Sequence, residues 1–367
     1  MTERLAGPSM LALVGDMSGP TLWRVLWPVT ALEKRGYPCG WALNHANGLG
    51  AVATAFEGYV LARLSWPPAQ RSVAARWFDA IRRIGRVVIY DCDDDLFYPE
   101  VDRRSVAFGW SGGKTLEELE AVRAERVWAV QQCDGVTVST QRLATVVRGI
   151  TDRPVVVVPN AIDLPWFRRV LRAQGRQLPR PVIGWVGGRR PDDDVKVMAE
   201  AWGRVARRCP AVRFVVGGHV PPVIQAHVPA DRLVVVPWLP IERYPAGLAD
   251  VDIACCSVAD SPFNRSKSSI KAIEAAVAGA VVVATPTVYG SLVEDGWSGY
   301  LAETADEWEA RLVDLVERPA LRAMMARRLL RVVEKRHALE VNLWRWPAAW
   351  SAIAEDALRR RGRLVEV

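Results

Sequence analysis

The stretch FNRSKSSIKAIEAAVAGAVVVAT, residues 263–285, joins a helical pattern to a buried strand. Lys267, Lys271 and Glu274 fall at positions i, i+4 and i+7, a spacing that predicts one shared face of a helix. Apolar residues form a stripe beside them, and the continuous apolar run of residues 280–285 follows directly. Helices that cover continuous apolar strands are typical of parallel α/β sheets. The stretch therefore predicts one helix–strand unit of such a sheet.

The same alternation extends along the whole chain of 367 residues. Apolar runs of strand length lie at residues 10–15, 58–64, 86–91, 135–140, 154–160, 181–187, 212–218, 232–238, 251–256 and 280–285. Ten such strands suit two doubly wound sheets better than one, and the chain length suits two domains. The polar, basic stretch of residues 168–181 ends in prolines and is typical of a linker. We therefore predict two α/β domains of similar size.

The composition describes a basic globular protein. Half of the residues are hydrophobic, the formal net charge is +7, and no segment approaches about 18 uncharged apolar residues, so no membrane span is expected. None of the six cysteines forms a C-x-x-C pair, which favours a reducing, cytoplasmic location over a zinc site or a disulfide framework. A basic protein tends to meet phosphate in nucleotides, nucleic acid or anionic lipid, although a GC-rich genome would also favour arginine.

A glycine pair after one predicted strand has the chemistry of an anion site. Gly187 and Gly188 permit close approach of the backbone and precede a helix whose N-terminal N–H groups favour an anion. Arg189 and Arg190 add positive charge with bidentate geometry. A tight turn explains the glycine pair equally well.

Two serines have similar chemistry in the opening stretch. Ser268 and Ser269 lie near the predicted start of the helix, where hydroxyls and free N–H groups bind oxyanions. A solvated charged face is the alternative interpretation. The buried strand that follows the helix favours the binding site.

An acidic cluster occupies the stretch YDCDDDLF, residues 90–97. Spaced acids such as Asp91 and Asp93 can hold a divalent metal, because hard cations prefer oxygen ligands. The same aspartates could instead cap the following segment or form an ion pair with Arg63. The residues alone leave these interpretations open.

A set of segments in a fixed order resembles the GT-B glycosyltransferases of the family 4 type, the glycosyl transferases group 1. In the second half these segments are VVVVPNAID (155–163), VIGWVGGRR (182–190), FVVGG (214–218), VPWLPIERYPAGLADVDIACCS (236–257), IEAAVAGAVVVAT (273–285) and EDGWSGYLAET (294–304). In the first half they are SGPTLWRVLWPVTALEKRGYPCGWA (18–42), VLARLSWPP (60–68) and IYDCDDDLF (89–97). The stretch from Lys267 to Glu274 is most similar to a subgroup with a KSxxKxxE donor helix.

The resemblance implies an α/β GT-B fold, with two Rossmann-like, doubly wound domains that face a cleft. Residues 1–170 would form the acceptor-side domain, and residues 171–337 would bind the nucleotide-sugar donor. The C-terminal helix, residues 338–367, would return to the first domain. Transfer from a UDP- or GDP-sugar would retain the anomeric configuration, and neither a metal nor another cofactor would be required.

The resemblance also assigns roles to individual residues. Arg189, Lys267 and Glu274 are the predicted catalytic residues. Arg189 and Lys267, together with Arg190, would neutralise the diphosphate, and Glu274 would hold the ribose hydroxyls. Trp238 and Leu239 would border the base. The other predicted donor-binding residues are Gly187, Gly188, Arg190, Lys196, Ser268, Ser269 and Lys271, of which Lys196 or Lys271 could assist at the diphosphate. The predicted acceptor-side residues are Arg24, His45, Arg63, Asp91 and Asp93.

One position departs from the family pattern. Ser266 stands eight residues before Glu274, where the family usually has a first glutamate that touches the transferred sugar. A non-catalytic nucleotide-sugar-binding protein is therefore an alternative to the enzyme. The acceptor could be a glycan, a lipid-linked sugar reached by peripheral membrane contact, a protein, or a hydroxymethylated base in DNA, which the net charge of +7 makes attractive. A plain DNA-binding protein ranks last, because the sequence has no helix-turn-helix or zinc signature.

Overall fold

The computed structural model describes residues 7–43, 55–100, 103, 113–188 and 192–362. The chain forms two compact units. The first unit comprises the residues up to Ala161 together with those from Leu339 onward, and the second unit comprises Ile162–Ala338. Residues 162–170 thus group with the second unit, because helix Leu164–Gln174 packs against helix Ile270–Ala278. The domain limits that the sequence suggests, at 170 and 337, stay predictions.

The first unit is built on a parallel sheet. Its strands are β1 (Met10–Val14), β2 (Cys39–Leu43), β3 (Gly58–Ala62), β4 (Val87–Cys92), β5 (Gly135–Val138) and β6 (Val155–Val157). They lie in the order β2-β1-β3-β4-β5-β6, and each neighbouring pair is parallel. Strands β3, β4 and β5 are buried along their whole length, as expected for a sheet covered on both faces.

Helices of the first unit cover this sheet. Before the boundary they are Gly19–Thr21, the π-helical Leu22–Leu26, Trp27–Glu33, the 3-10 turn Pro68–Gln70, Arg71–Arg83, Leu116–Gln132 and Gln141–Arg148. After Ala338 the chain adds Leu339–Asn342 and Arg345–Arg360.

The C-terminal helix returns to the first unit, as predicted. Helix Arg345–Arg360 packs on β4 and β5. A Cβ atom on Gly135 would lie only 2.6 Å from Ile353 of this helix, so glycine permits the close approach. The Nε1 of Trp346 donates a hydrogen bond of 3.2 Å to the carbonyl oxygen of Arg24.

The second unit has a sheet of the same kind. Its strands are β7 (Val182–Gly187), β8 (Arg213–Gly218), β9 (Leu233–Val236), β10 (Ile253–Cys256), β11 (Val281–Ala284) and β12 (Tyr300–Leu301). They lie in the order β12-β11-β10-β7-β8-β9, again with parallel neighbours. The prediction of two parallel α/β sheets is therefore confirmed. Strands β2 and β12 were not among the ten predicted runs.

Helices and turns of the second unit complete the layers. They are Leu164–Gln174, Asp192–Asp194 (3-10), Lys196–Arg208, Pro222–His227, Ala230–Arg232 (3-10), Tyr244–Leu248 (3-10), Pro262–Arg265, Ile270–Ala278, Pro286–Tyr289, Ala305–Glu317 and Pro319–Arg336. Trp202, Phe214 and Trp308 are fully buried in the core. Helix Ile270–Ala278 ends at Gly279, whose φ of +84° is the left-handed conformation that favours glycine at a helix C-terminus.

Candidate functional site

Glu274 is the most deeply buried charged side chain among the predicted donor-site residues. It lies in the middle of helix Ile270–Ala278 and is only 1% exposed. Its Oε2 accepts hydrogen bonds from the Tyr244 hydroxyl at 2.7 Å and from the Lys271 Nζ at 3.2 Å. The Lys271 Nζ also donates to the Tyr244 hydroxyl and lies 4.9 Å from the centre of the Tyr244 ring. The structure thus brings together two predicted residues and adds Tyr244.

Glu274 lines a pocket that it shares with both apolar and polar side chains. The lining residues are Gly184, Trp185, Val186, Leu248, Ala254, Cys255, Cys256, Ser257, Lys271, Glu274, Ala275 and Tyr289. Burial raises the pKa of Glu274, and the positive charge of Lys271 and the Tyr244 hydrogen bond partly offset this rise. Within the described part of the chain no donor contacts Oε1. The Oε1 atom therefore keeps its capacity to accept hydrogen bonds from hydroxyl groups.

The ends of β7 and β8 form a glycine-rich surface beside an exposed indole. A Cβ atom on Gly188 would meet the Trp238 ring, at 4.0 Å. Gly218 has a φ of +87°, and a Cβ there would lie 2.6 Å from the Gly187 carbonyl oxygen, so both conformation and space require glycine. Trp238 is 73% exposed, and Leu239 beside it is half-buried. The predicted residues Gly187, Gly188 and Trp238 thus lie together, with backbone that a ligand can approach closely.

The predicted arginines of the glycine-rich loop, Arg189 and Arg190, lie outside the described residues. Lys196 is exposed at the first position of helix Lys196–Arg208. A lysine at this position adds positive charge to the N-terminal end of the helix, which already favours anions.

Asp194 organises the loops around these strand ends, a role that no sequence pattern predicts. Its Oδ1 accepts hydrogen bonds from the Ala259 backbone N–H at 2.9 Å and from the Asn264 side-chain amide at 2.8 Å. Its carbonyl oxygen accepts from the Ser257 hydroxyl at 2.6 Å. These bonds join the loop after β7 to the loop after β10. In the sequence, Asp194 is one of three adjacent aspartates, and only tertiary packing distinguishes it.

The prediction that Lys267, Lys271 and Glu274 share one helix face is wrong for Lys267. The helix begins at Ile270, and the backbone N–H of Lys267 bonds to the carbonyl of Asn264 in the preceding short helix. The chain therefore breaks between the two helices, and the Lys267 Nζ lies 4.2 Å from the centre of the Phe263 ring.

The serines near this break have different surroundings from those predicted. Ser269 occupies the N-cap position without a side-chain capping bond, and its hydroxyl donates to the Val288 carbonyl at 2.9 Å. Ser268 is half-buried. Ser266, which replaces the expected glutamate, is fully buried, and its hydroxyl donates to the Pro262 carbonyl at 3.3 Å.

In the first unit, Arg24 and Asp91 form a buried ion pair. The guanidinium donates to both Asp91 oxygens, at 3.0 and 2.6 Å, and to the Asn160 side chain at 3.1 Å. The Thr137 hydroxyl also donates to Asp91, at 2.6 Å. Arg24 is 3% exposed and Asp91 is 2% exposed. The hydrogen bonds of these two predicted acceptor-side residues thus connect different elements within the first unit.

Arg63 and Asp93 lie at the same sheet edge and are more accessible. The Arg63 Nη1 lies 3.0 Å from Asp93 Oδ1 and 3.5 Å from Asp94 Oδ2, so the ion-pair interpretation of the acidic stretch holds for these aspartates. Burial and the neighbouring Asp94 raise the pKa of Asp93, against the opposing effect of Arg63. Arg63 has a φ of +56°, an uncommon conformation for a residue other than glycine. The predicted His45 lies outside the described residues.

The described residues contain neither a metal-binding cluster nor a membrane-spanning helix. In the described ranges no group of three or more His, Cys, Asp or Glu side chains could hold a metal ion. Within the same ranges no helix combines the length and apolar character needed to cross a bilayer.

Part of the second unit matches a protein-family model. Residues 180–318 match the family model for glycosyl transferases group 1. This segment contains β7 to β12 and the Glu274 pocket. None of the curated proteins matches the sequence.

Solved structures of glycosyltransferases share the fold. Sucrose-phosphate synthase from Thermosynechococcus elongatus aligns with a TM-score of 0.65 at 14% identity, over 94% of this chain and 99% of that one. HepE from Anabaena in complex with UDP gives 0.59 at 16%, over 94% and 100%. TarM from S. aureus, solved with UDP and α-GlcNAc-glycerol, gives 0.54 at 13%, over 80% of this chain and 55% of that one. This chain therefore spans about half the length of TarM, and the neighbours define a GT-B-type fold.

Proposed function

We propose that the protein is a retaining glycosyltransferase that moves a sugar from a nucleotide-sugar donor to a hydroxyl acceptor. The observation that carries this proposal is the buried Glu274, which lines a pocket within the matched segment 180–318 and whose Oε1 has no donor among the described residues. Ligands of open α/β sheets bind at the carboxyl ends of the strands, and the pocket lies at those ends of β7 and β10. Glu274 would accept hydrogen bonds from the ribose hydroxyls.

The donor's base and diphosphate would use the neighbouring groups. The exposed Trp238 offers a ring face to the base, and Gly187 and Gly188 allow the diphosphate to approach the backbone. HepE and TarM were solved with UDP, which favours UDP over GDP as the nucleotide. Lys196 and Lys267, together with Arg189 and Arg190, would supply positive charge.

In the proposed reaction, the bond between the anomeric carbon and the diphosphate oxygen breaks, and the acceptor oxygen forms a new bond on the same face of the sugar. The acceptor proton passes to the departing phosphate. Catalysis would rest on preorganised cations and backbone N–H groups that stabilise the negative charge developing on the leaving group. No metal is required in this proposal.

The acceptor would bind at the carboxyl edge of the first unit, where Arg63 and Asp93 present polar groups. The carboxylates of Asp93 and Asp94 beside Arg63 suit a neutral hydroxyl-bearing acceptor, such as a glycan or lipid-linked sugar. They would repel a phosphate backbone, which makes a modified DNA base the less favoured acceptor.

A non-catalytic nucleotide-sugar-binding protein is the second candidate. The buried Ser266 favours it, because its hydroxyl is bonded to the Pro262 carbonyl and supplies no carboxylate for the transferred sugar. The two candidates differ in turnover. Release of UDP from UDP-glucose in the presence of an acceptor mixture, abolished by Glu274→Ala in a folded variant, would support the enzyme.

A thermal melt tests the donor site directly. The protein is heated with UDP, GDP, ADP or CMP, each in EDTA, and the midpoints are compared. A ligand that binds only the folded state at about 100 times its Kd adds about 2.7 kcal/mol of stability, so a rise with UDP is expected. Unchanged midpoints with all four nucleotides would contradict both candidates. A rise that appears only after Mn²⁺ is added would contradict metal independence.

A further inference from the structure

The hydroxyl of Tyr244 joins the two charged residues of the pocket. It donates to Glu274 Oε2 at 2.7 Å and accepts a hydrogen bond from the Lys271 Nζ. The Lys271 Nζ also donates to the same carboxylate oxygen, at 3.2 Å. The three side chains therefore form a closed hydrogen-bonded triangle, in which two donors converge on a single oxygen.

This triangle fixes the orientation of the carboxylate. Two donors from different elements hold Oε2, one from helix Ile270–Ala278 and one from the 3-10 turn Tyr244–Leu248. Among the described residues, Oε1 has no donor. The carboxylate plane is thus set by its own neighbours before any ligand binds, and the second oxygen remains available to hydroxyls in the pocket.

Tyr244 also belongs to the segment that carries Trp238. The two residues are six positions apart, and the turn that begins at Tyr244 packs against both β7 and helix Ile270–Ala278. One segment therefore contributes the exposed ring at the strand ends and the hydroxyl that holds Glu274.

We infer that Tyr244 is a positioning residue that aims Glu274 at the ribose hydroxyls and so makes the site select ribonucleotides over 2′-deoxyribonucleotides. The inference rests on the proposed function. A carboxylate held by Lys271 alone would rotate more freely and would discriminate less between the two sugars. When a 2′-deoxyribonucleotide binds, the rigidly held carboxylate oxygen loses water but gains no hydrogen bond from the missing 2′-hydroxyl. This uncompensated desolvation weakens binding of the deoxyribonucleotide relative to the ribonucleotide.

The test compares Tyr244→Phe with Tyr300→Phe in the full chain. Tyr300, in the core of the same unit, is the matched control, because its hydroxyl also donates to a carboxylate, that of Asp314, at 2.7 Å. Phenylalanine keeps the ring that Lys271 contacts. Isothermal titration with UDP and with 2′-deoxy-UDP gives a ratio of dissociation constants for each protein. If the thermal melt shows that GDP binds instead of UDP, GDP and 2′-deoxy-GDP replace these two ligands.

We expect the wild type and Tyr300→Phe to prefer UDP by about tenfold, the effect of one hydrogen bond to a charged group. In Tyr244→Phe the preference should fall to about twofold. The acid side of the pH profile of this ratio should also move to higher pH in Tyr244→Phe, because the variant loses a donor that stabilises the carboxylate against protonation. A ratio does not depend on the fraction of protein that is folded, so partial unfolding leaves the comparison intact.

The outcomes separate this inference from the proposed function. A wild type that binds neither nucleotide contradicts the proposed function. A wild type that prefers UDP, with the same preference and pH profile in Tyr244→Phe, overturns the role of Tyr244 alone. A wild type that binds both nucleotides equally also overturns the inference, while nucleotide binding stands. Tyr244→His, which returns a donor, should restore part of the preference.

Discussion

The two units each bury a carboxylate near the carboxyl edge of a parallel sheet, and the two carboxylates differ in what holds them. Asp91 in the first unit is 2% exposed, and both of its oxygens accept from Arg24 while one also accepts from Thr137. Glu274 in the second unit is 1% exposed, but both of its donors contact the same oxygen. Burial is therefore common to both carboxylates. What differs is that Glu274 Oε1, unlike either oxygen of Asp91, has no donor among the described residues.

The largest expected effect is a loss of stability in the first unit. Asp91→Ala leaves the buried Arg24 guanidinium without its counter-charge, and breaking such a pair costs about 3–5 kcal/mol. Urea unfolding monitored by fluorescence measures the change. Asp93→Ala is the control, because its partner Arg63 is 29% exposed and can regain water. Equal losses of unfolding free energy in the two variants would show that burial of the Arg24–Asp91 ion pair does not increase its contribution to stability.

Glu274→Gln should have the opposite effect to Asp91→Ala: the affinity for UDP should fall, and the stability of the protein should be unchanged. The amide keeps the size of the side chain but removes the charge, and a hydrogen bond to a charged group contributes about 1.5–3 kcal/mol, or about 10- to 150-fold in Kd for UDP. Burial raises the pKa of Glu274, so the ionised form is costly in the folded protein and its removal should not lower the melting midpoint at neutral pH.

Titration calorimetry with UDP measures this loss, and Glu125→Gln serves as the control. Glu125 is a carboxylate of the first unit that is 4% exposed and paired with Arg71. Its substitution should leave the affinity for UDP unchanged. A Glu274→Gln variant that unfolds like Asp91→Ala, or binds UDP like the wild type, would remove the distinction between the two carboxylates.

The contrast also shows what the sequence can predict. Long apolar runs predicted ten of the strands, because a strand buried on both faces must be apolar throughout. Strand β2 lies at a sheet edge, with Trp41 and Leu43 exposed, and β12 has only two residues, so neither produces such a run. Glu274 and Lys271 were found from helical spacing, which is local.

The partners of these residues could not be predicted, because they are distant in the sequence. Tyr244 reaches Glu274 across 30 positions, and Arg24 reaches Asp91 across 67. An arginine and an aspartate so far apart have no shared periodicity, and only the folded sheet brings them together. For the same reason the spacing of Lys267 was misleading, since a break between two short helices has no signature in a helical pattern.

Trp238 provides a further contrast, between an exposed aromatic ring and the fully buried aromatic rings in the core of the same unit. Because Trp238 is 73% exposed, Trp238→Ala should change the free energy of unfolding by less than about 0.5 kcal/mol. Stacking of a base on an aromatic ring contributes about 1–3 kcal/mol, so the Kd for UDP should rise by about 5- to 150-fold. Trp297→Ala, at an indole 41% exposed in the same unit, should leave the Kd unchanged. Equal effects of the two substitutions would rule out a specific role for Trp238.

The smallest expected effect is a dependence of ribose selection on pH. Burial raises the pKa of Glu274 above its value in the unfolded chain, so the carboxylate protonates earlier as pH falls. The stability that the protonated group contributes is present below the unfolded pKa and is lost as pH rises through the folded pKa, whereas binding of ribose hydroxyls needs the ionised form. Lowering the pH from about 8 to about 5 should therefore reduce the preference for UDP over 2′-deoxy-UDP, by less than tenfold.

Both ligands carry the same diphosphate, whose own titration cancels in the ratio, and Lys271 and Tyr244 are the groups that act on the carboxyl. The ratio of the two dissociation constants could instead stay constant across this pH range in the wild type, or change equally in Glu274→Gln. Either result would show that Glu274 is not the group that recognises the ribose hydroxyls.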